Sequence, residues 1–335
     1  MKAVRLKDVA ARAGVSVSTA SRVLDERLPA SDSPTARRVR AAAAELGYRK
    51  DAAASALRRG DTGTVGVLVP RLSDTVMALL FEEVYARAAS LGLFAMVSVC
   101  GNEPEREQRA LEALLARRVD GVVLAASRLD DDLPAALRRR RVPHVLAIRT
   151  DGRSPSAVCD DELGGYLAAR HLIDLGHETI GILPGPDFTS TARQRLAGFR
   201  RAMEEAGLAV HEDLVHHCGF SCEDGRAAAG LLLDRRPTMT ALFAANDQLA
   251  LGALGAAGAR GLAVPGRLSV VGYNDTPLAS QLTPPLTTVR VPFDRVASDA
   301  VDLLIAQVHG AAPEDVGSRT AIPTLIPRRT TRAAR

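Results

Sequence analysis

Tryptophan is missing from this 335-residue sequence, and all aromatics together supply only 3% of it. An aromatic side chain in a predicted binding loop is therefore informative, and tryptophan fluorescence offers no probe. Four cysteines (Cys100, Cys159, Cys218, Cys222) are scattered through a large chain. That excludes a disulfide framework and reads as reduced thiols. No apolar run approaches the ~18 uninterrupted residues of a membrane helix. The N-terminus enters a helical pattern without an apolar signal core, so no secretory leader is expected. The chain is read as cytoplasmic, with no membrane partner.

Signatures of catalysis are missing as well. GILPGPD at 181–187 lacks both Gly-x-Gly-x-x-Gly and the Walker Lys-Ser/Thr. No Ser-His-Asp set stands out, so neither an enzyme nor a cofactor is expected. His216, His217, Cys218 and Cys222 are soft-metal ligand types. However, the two histidines would fall on opposite faces of a strand at 213–218, and no metal site is assigned. His177 reads as structural, and Asp130 to Asp132 as a solvated helix start.

What the sequence does contain is an uneven charge. The formal net charge is +4, yet residues 1–60 alone hold 13 Lys and Arg against 6 Asp and Glu. The remainder is slightly acidic. A basic head on an acidic body is the electrostatic footprint of a nucleic-acid-binding module joined to a separate partner domain. The length suits two or three domains.

Positions 6–24 read LKDVAARAGVSVSTASRVL, two short helices hinged at Gly14. Leu6, Val9, Ala10 and Ala13 recur at helical spacing, and Gly14 takes a turn that a Cβ would oppose. Ser16 is placed to cap a second helix over about 17–24. Ala20, Val23 and Leu24 face inward, leaving Val17, Ser18, Ser21 and Arg22 outward. Such residues at a recognition-helix start can reach base edges in a major groove. Arg22 can donate to guanine or to phosphate, Ser18 can bond a base or phosphate, and Val17 can contact a thymine methyl. A small helical cap without a ligand is the bland alternative. A third helix is expected over 35–46, with Ser33 as cap, Pro34 at the first position and Gly47 at the end. The alanine-rich stretch 48–60 is too short to be a stable helix alone and reads as a hinge.

From Thr64 onward, short apolar runs alternate with amphipathic helices. Strands are expected at 65–70, 94–100, 121–126, 144–148, 179–185, 213–218, 241–246, 269–274 and 287–291, and a helix near 293–308. Continuous apolar strands between helices mean parallel sheets covered on both faces. The fold class is therefore an all-α helix-turn-helix head plus an α/β core of two doubly wound parallel-sheet subdomains. Their ligands belong beyond the strand carboxyl ends. Asn246 and Asp247 end one strand there, and Asn274 and Asp275 another, supplying donors and acceptors suited to vicinal hydroxyls. Asn246 or Asp247 can instead simply cap the next helix. Arg195 opens a helix where its guanidinium can fork two oxygens.

These motifs resemble the lactose/galactose-repressor (LacI/GalR) family of bacterial regulators along nearly the whole chain. The head pattern appears as Asp8-Val9-Ala10, Ala13-Gly14-Val15-Ser16 and Thr19 to Leu24. Later landmarks are VDG at 119–121, HLIDLGHETIGILPG at 171–185, RLAGF at 195–199, AANDQLALGAL at 244–254, SVVGYND at 269–275 and PPLTTV at 284–289. The resemblance implies a periplasmic-binding-protein-like core and a homodimer on a pseudo-palindromic DNA operator, responding to a sugar or sugar-like effector. It implies domains at 1–47 and 48–61, then core subdomains 62–160 with 291–319 and 161–290 with 320–330. DNA contacts are implied at Leu6, Ser16, Val17, Ser18, Thr19, Ser21, Arg22, Ala54 and Leu57. Leu57 matches a minor-groove wedge, against the plainer reading of a linker residue. Effector contacts are implied at Ser73, Arg195, Phe220, Asn246, Asp247, Asn274, Asp275 and Phe293, against the plainer reading of Phe293 as core.

The chain departs from the family in several places. Lys50-Asp51 replaces the common Pro-Asn, Ser55 replaces a basic residue, and the loop from Pro29 to Pro34 is about one residue longer. Ile148 stands where many members have Asp or Asn, Val291 replaces a polar residue, and Thr75-Val76-Met77 replaces Asn-Pro-Phe. One cleft wall is thus expected to be drier than in a monosaccharide sensor. The terminal RRTTRAAR carries no leucine heptads, so a dimer is expected rather than a tetramer.

Overall fold

The computed structural model describes residues 4–24, 31–48 and 62–334. The chain divides into two compact units, Met1–Thr64 and Val65–Arg335. The expected hinge residues Lys50, Asp51, Ala54, Ser55 and Leu57, and the loop residue Pro29, lie outside the described residues.

The first unit contains α1 (Leu6–Ala13), α2 (Val17–Val23) and α3 (Pro34–Glu45). Gly14 lies at φ +67°, and its N–H closes the end of α1 onto Ala10 and Ala11 carbonyls. That left-handed turn re-aims the chain at little steric cost only because glycine has no Cβ. Ser16 Oγ accepts from the Thr19 N–H at 3.1 Å and caps α2. Ser33 does the same for α3, accepting from Ala36, with Pro34 in the first turn. Val9, Ala10, Ala13, Ala20, Val39, Ala42 and Ala43 form the buried core. Small alanines let these short helices approach closely, and Leu6 packs at the edge of this core.

The second unit is built on two sheets. The first has β1 (Thr64–Val69), β2 (Phe94–Val99), β3 (Gly121–Leu124), β4 (His144–Ala147), β5 (Ser156–Cys159) and β10 (Arg319–Ala321), in the order β10-β5-β4-β3-β1-β2. The second has β6 (Ile180–Leu183), β7 (Ala241–Ala244), β8 (Ser269–Asn274), β9 (Thr287–Arg290) and β11 (Thr324–Ile326), in the order β11-β9-β8-β7-β6. Between the strands run α4 (Thr75–Ser90), α5 (Pro104–Leu115), α6 (Leu133–Arg140), α7 (Asp161–Asp174), α8 (Ser190–Glu205), α9 (Cys222–Arg235), α10 (Asp247–Ala259) and α11 (Phe293–Val308). Every residue of β3, β4, β6, β7 and β8 is buried. This is why these strands read as unbroken apolar runs. The chain passes between the sheets after β5, after β9 and after β10. Because β10 ends at Ala321, the last passage falls two residues later than the sequence suggested.

Four sheet elements depart from expectation. Residues 213–218 do not form a strand: Glu212–Leu214 is a 3-10 turn, and Val215 makes a single bridge to Ile182. The argument that His216 and His217 oppose each other across a strand therefore falls. Among the described residues, no cluster of three metal-ligating side chains occurs. The short strands β5, β10 and β11 were not expected, and β11 runs antiparallel to β9.

Candidate ligand cleft and nucleic-acid interface

In the first unit, Ser16, Val17, Ser18 and Arg22 are exposed, while Thr19 and Ser21 are partly so. Val17 is 45% exposed, a high value for an apolar residue in a head with a small core. Ser16 Oγ lies 2.8 Å from both Ser18 Oγ and Thr19 Oγ1. The same hydroxyl therefore caps α2 and steadies two neighbours at its N-terminus, where anions are favoured by the unpaired N–H groups. Leu6 sits at the rim of the head's core rather than out with these groups. Ala54 and Leu57 lie outside the described residues.

In the second unit, three contiguous spaces open beyond the carboxyl ends of both sheets. One of about 340 Å³ is lined by Asp74, Val76, Met77, Ile148, Arg149, Thr191, Arg195, Phe220, Asn246 and Asn274. A second, of about 510 Å³, shares Asp74, Arg149 and Phe220 and adds Arg71, Asn102, Phe188 and Gln248, among others. A third recess, of about 220 Å³, shares Ile148, Arg195 and Asn274 and ends on Val291, Phe293 and Val296. These residues follow β1, β4, β6, β7, β8 and β9, so the cleft draws its walls from both sheets. A cleft of such mixed polar and apolar lining, placed beyond the strand ends, suits small organic ligands.

Arg195 projects from α8, held against α7 by glycines. A Cβ on Gly165 would strike the Arg195 carbonyl, and one on Gly198 the Glu162 carbonyl. This close approach lets Arg195 Nε donate to Asp161 Oδ1 at 2.8 Å. Its Nη1 donates to the Ala245 carbonyl at 2.5 Å, and the guanidinium lies 3.7 Å over the Tyr273 ring. Burial pushes the Asp161 carboxyl up, against the pull of Arg195.

Asn246 both lines the cleft and caps a helix. Its Oδ1 accepts from Leu249 N–H at 2.6 Å, and its Nδ2 donates to the Phe220 carbonyl at 3.0 Å. It thus fixes the Phe220 loop, whose ring fills the space left by Gly185 at φ +91°. Asn274, at φ +104°, is in a backbone region unusual for a side-chain-bearing residue and lines two of the spaces. Phe293 is 9% exposed and serves both as core and as a wall of the third recess.

Three residues expected at the cleft are engaged or placed elsewhere in the structure. Asp247 turns inward: it accepts from Thr276 N–H and Oγ1 and from Thr288 Oγ1 at 2.6–2.9 Å. Those bonds tie α10 to the neighbouring strand ends. Asp275 is drawn off by arginines, accepting from Arg290 Nε at 2.8 Å and Arg328 Nη2 at 2.6 Å. Ser73 is exposed and lines none of the three spaces; its neighbour Asp74 does, while also capping α4 through Val76 N–H.

The residue that sequence reasoning missed is Arg149. It is 5% exposed and lines two of the spaces. The signal was present: an arginine one position past an apolar strand, at a sheet's carboxyl edge.

Direct ties cross the cleft mouth. The Arg128 guanidinium lies 3.6 Å over the Phe188 ring, and Leu129 N–H donates to the Phe188 carbonyl at 2.8 Å. Further in, Ser190 Oγ accepts from Thr150 N–H at 2.9 Å.

Comparison with known proteins gives the head and the cleft a common context. Residues 5–51 match the model of bacterial regulatory proteins of the lacI family, and residues 169–331 match a periplasmic binding protein-like domain. The chain is 36% identical over 297 residues to the HTH-type transcriptional regulator DegA of Bacillus subtilis, covering 87% of this chain and 88% of that one. It is 35% identical over 329 residues to the HTH-type transcriptional repressor PurR of Proteus mirabilis, covering 97% and 96%. Among solved structures, a lac repressor dimer bound to operator and the anti-inducer ONPF aligns over 99% of this chain and 100% of that one, with a TM-score of 0.86 and 33% identity. A complex of the regulator CelR with cellobiose aligns over 98% and 99%, with a TM-score of 0.75 and 30% identity. With relatives this similar spanning head and core together, the chain belongs to the lacI family of bacterial regulatory proteins and is a DNA-binding transcriptional regulator.

Proposed function

We propose that the chain is an effector-responsive repressor acting as a homodimer on a pseudo-palindromic operator, with a small polar metabolite as effector. The observation that carries this reading is the cleft itself, whose walls come from two sheets joined by three chain passages. A ligand touching both walls changes their relative angle, and a coupling of about 1–3 kcal/mol suffices for a 5- to 150-fold change in DNA affinity. The outward face of α2 reads the operator. Dimerisation places two such heads on half-sites about one helical turn apart. The lac repressor dimer on its operator and the cellobiose-bound CelR supply precedents for the two ends of this switch.

Footprinting over the DNA upstream of the gene, with and without a metabolite panel, tests the reading. A symmetric protected site whose occupancy changes with one metabolite is expected. Protection absent under every condition sinks the regulator reading for that site. Protection that no metabolite alters sinks the effector reading.

A further inference from the structure

The cleft holds two buried arginines, and only one of them has its own carboxylate. Arg195 is bonded to Asp161. Arg149 donates through Nη1 to the carbonyls of Ala126 and Ser127, at 3.1 and 3.4 Å. Among the described residues its Nε and Nη2 have no hydrogen-bond partner, and no carboxylate forms an ion pair with it. A buried guanidinium without a bonded anion is costly.

The acids around it are engaged elsewhere. Asp74 spends one oxygen capping α4 through the Val76 N–H. Glu107 is coupled to Asp131, and burial together with that second acid pushes it up to about 7. Burial pulls Arg149 itself down only to about 10, so it remains a cation at neutral pH.

The backbone is bent to put it there. Ile148, a β-branched residue, lies at φ +66°, and the Arg149 N–H turns back onto the Ala147 carbonyl at 2.7 Å. This is the γ-turn geometry that chains seldom adopt, and a β-branched residue resists it further. Such strain persists where the surroundings impose it, and it clusters at ligand clamps. Here it sets an arginine between two open spaces at the carboxyl end of β4.

We infer that the effector carries an oxyanion group, a carboxylate or a phosphate, and that Arg149 is its anchor. The inference rests on the reading of the cleft as the effector site. A planar guanidinium offers two parallel N–H donors, which match two oxygens of either group. A neutral hydroxyl would leave the guanidinium with only the through-space pull of Asp74 and Glu107, neither of which bonds to it. The remaining walls complete the description. Phe220, Met77 and Ile148 give the ligand one apolar face, while Thr191, Asn274 and Arg195 give it polar contacts. Sugar acids and sugar phosphates share this chemistry.

The test uses the full-length protein, in thermal-shift and calorimetric titrations. Inorganic phosphate and acetate are compared with chloride at equal ionic strength. Glucose, glucuronate and glucose phosphate then form a matched neutral, carboxylate and phosphate set. The expected result is that phosphate or acetate raises the melting temperature beyond chloride. One charged derivative should bind about ten- to a hundredfold tighter than glucose. Arg149→Gln removes both effects and Arg149→Lys restores part of them; whichever derivative prevails separates phosphate from carboxylate. Phe220→Ala, which removes an apolar wall, serves as a control for cleft occupancy.

Glucose binding as tightly as its charged derivatives, lost in Phe220→Ala but kept in Arg149→Gln, overturns the oxyanion inference and leaves the effector cleft standing. Titrations in which no anion shifts the native protein at millimolar levels also overturn the inference. If the metabolite panel also leaves DNA affinity untouched, the effector reading falls with it.

Discussion

Arg195 Nε meets Asp161 Oδ1 at 2.8 Å with both side chains nearly sealed from solvent, 5% and 1% exposed. Removing one partner of such a pair leaves the other charge buried and unpaired, which costs about 3–5 kcal/mol. Asp161→Ala is therefore expected to lower unfolding stability by about that amount in urea titrations. The double replacement Asp161→Leu with Arg195→Met should recover most of the loss, because an apolar pair leaves no orphaned charge. It should at the same time abolish effector binding. If the single variant loses under about 1 kcal/mol, the pair is not the brace described.

Asp275 makes a contrasting case. It joins Arg290 near the end of β9 to Arg328 beyond β11, and its side chain is 5% exposed. Its role is to fasten the terminal segment against the second sheet. Asp275→Ala is expected to cost roughly 2–3 kcal/mol, with two charge-assisted bonds lost. Ligand affinity, measured at a temperature where the variant is folded, should change by less than about threefold. A much larger loss of affinity would return Asp275 to the cleft.

The head makes separable predictions for stability and for reading. Ser16→Ala removes the cap of α2 and should destabilise the head by about 1 kcal/mol. Arg22 is exposed on the same helix, so Arg22→Ala should leave the melting of the head unchanged. If Arg22 contacts a phosphate, its loss weakens binding uniformly and lowers the salt slope by about one. If it reads guanine, the loss concentrates at one operator position, at about 1–3 kcal/mol. Fluorescence anisotropy over a salt series and a mismatch panel separates the two. An Arg22→Ala protein that binds like the parent removes the residue from the interface.

The helices of the core were legible because their apolar faces repeat, and the longer strands because burial on both sides leaves them unbroken. Several of the core's caps were not. Asn246 was readable as one, but Asp160, Thr189 and Ser221 start their helices two or three residues before the apolar pattern does. Their side chains hold N–H groups that hydrophobic periodicity does not register. The strands β5, β10 and β11 were missed because their few residues mix polar with apolar side chains and form no unbroken apolar run. The strand expected at 213–218 had the right composition, but one bridge is its only pairing. At the cleft, position beyond a strand end was readable, whereas side-chain direction was not. Asn274 and Asp275 are neighbours in sequence, yet Asn274 lines the cleft while Asp275 is drawn to two arginines. Two successive left-handed residues produce that division, and no motif announces them.

Glu107 gives a pH dependence with a definite sign. It is 2% exposed on α5, and its Oε1 is buried without a hydrogen-bond donor, as is Asp131 Oδ2. A proton held on Glu107 gives Asp131 the missing donor. Burial first, and then Asp131, raise the carboxyl from 4.5 to about 7, against the weaker pull of Arg149 and Arg128. A carboxyl raised in the folded state favours folding in its acid form. The unfolded chain releases this proton near pH 4.5 and the folded chain near pH 7, so stability declines as pH rises between those values and is level above them. The decline attributable to this one group is about 3 kcal/mol. Glu107→Gln keeps a donor toward Asp131 and has no proton to lose. It should be more stable than the parent by roughly that amount at pH 8 and equal to it at pH 4. Taking the difference between the two proteins removes the contribution of Asp247, which burial raises to about 6 and which acts in the same direction. Urea unfolding across this range measures it. A Glu107→Gln protein less stable than the parent at neutral pH would mean that the carboxylate is bonded as an anion in the folded state.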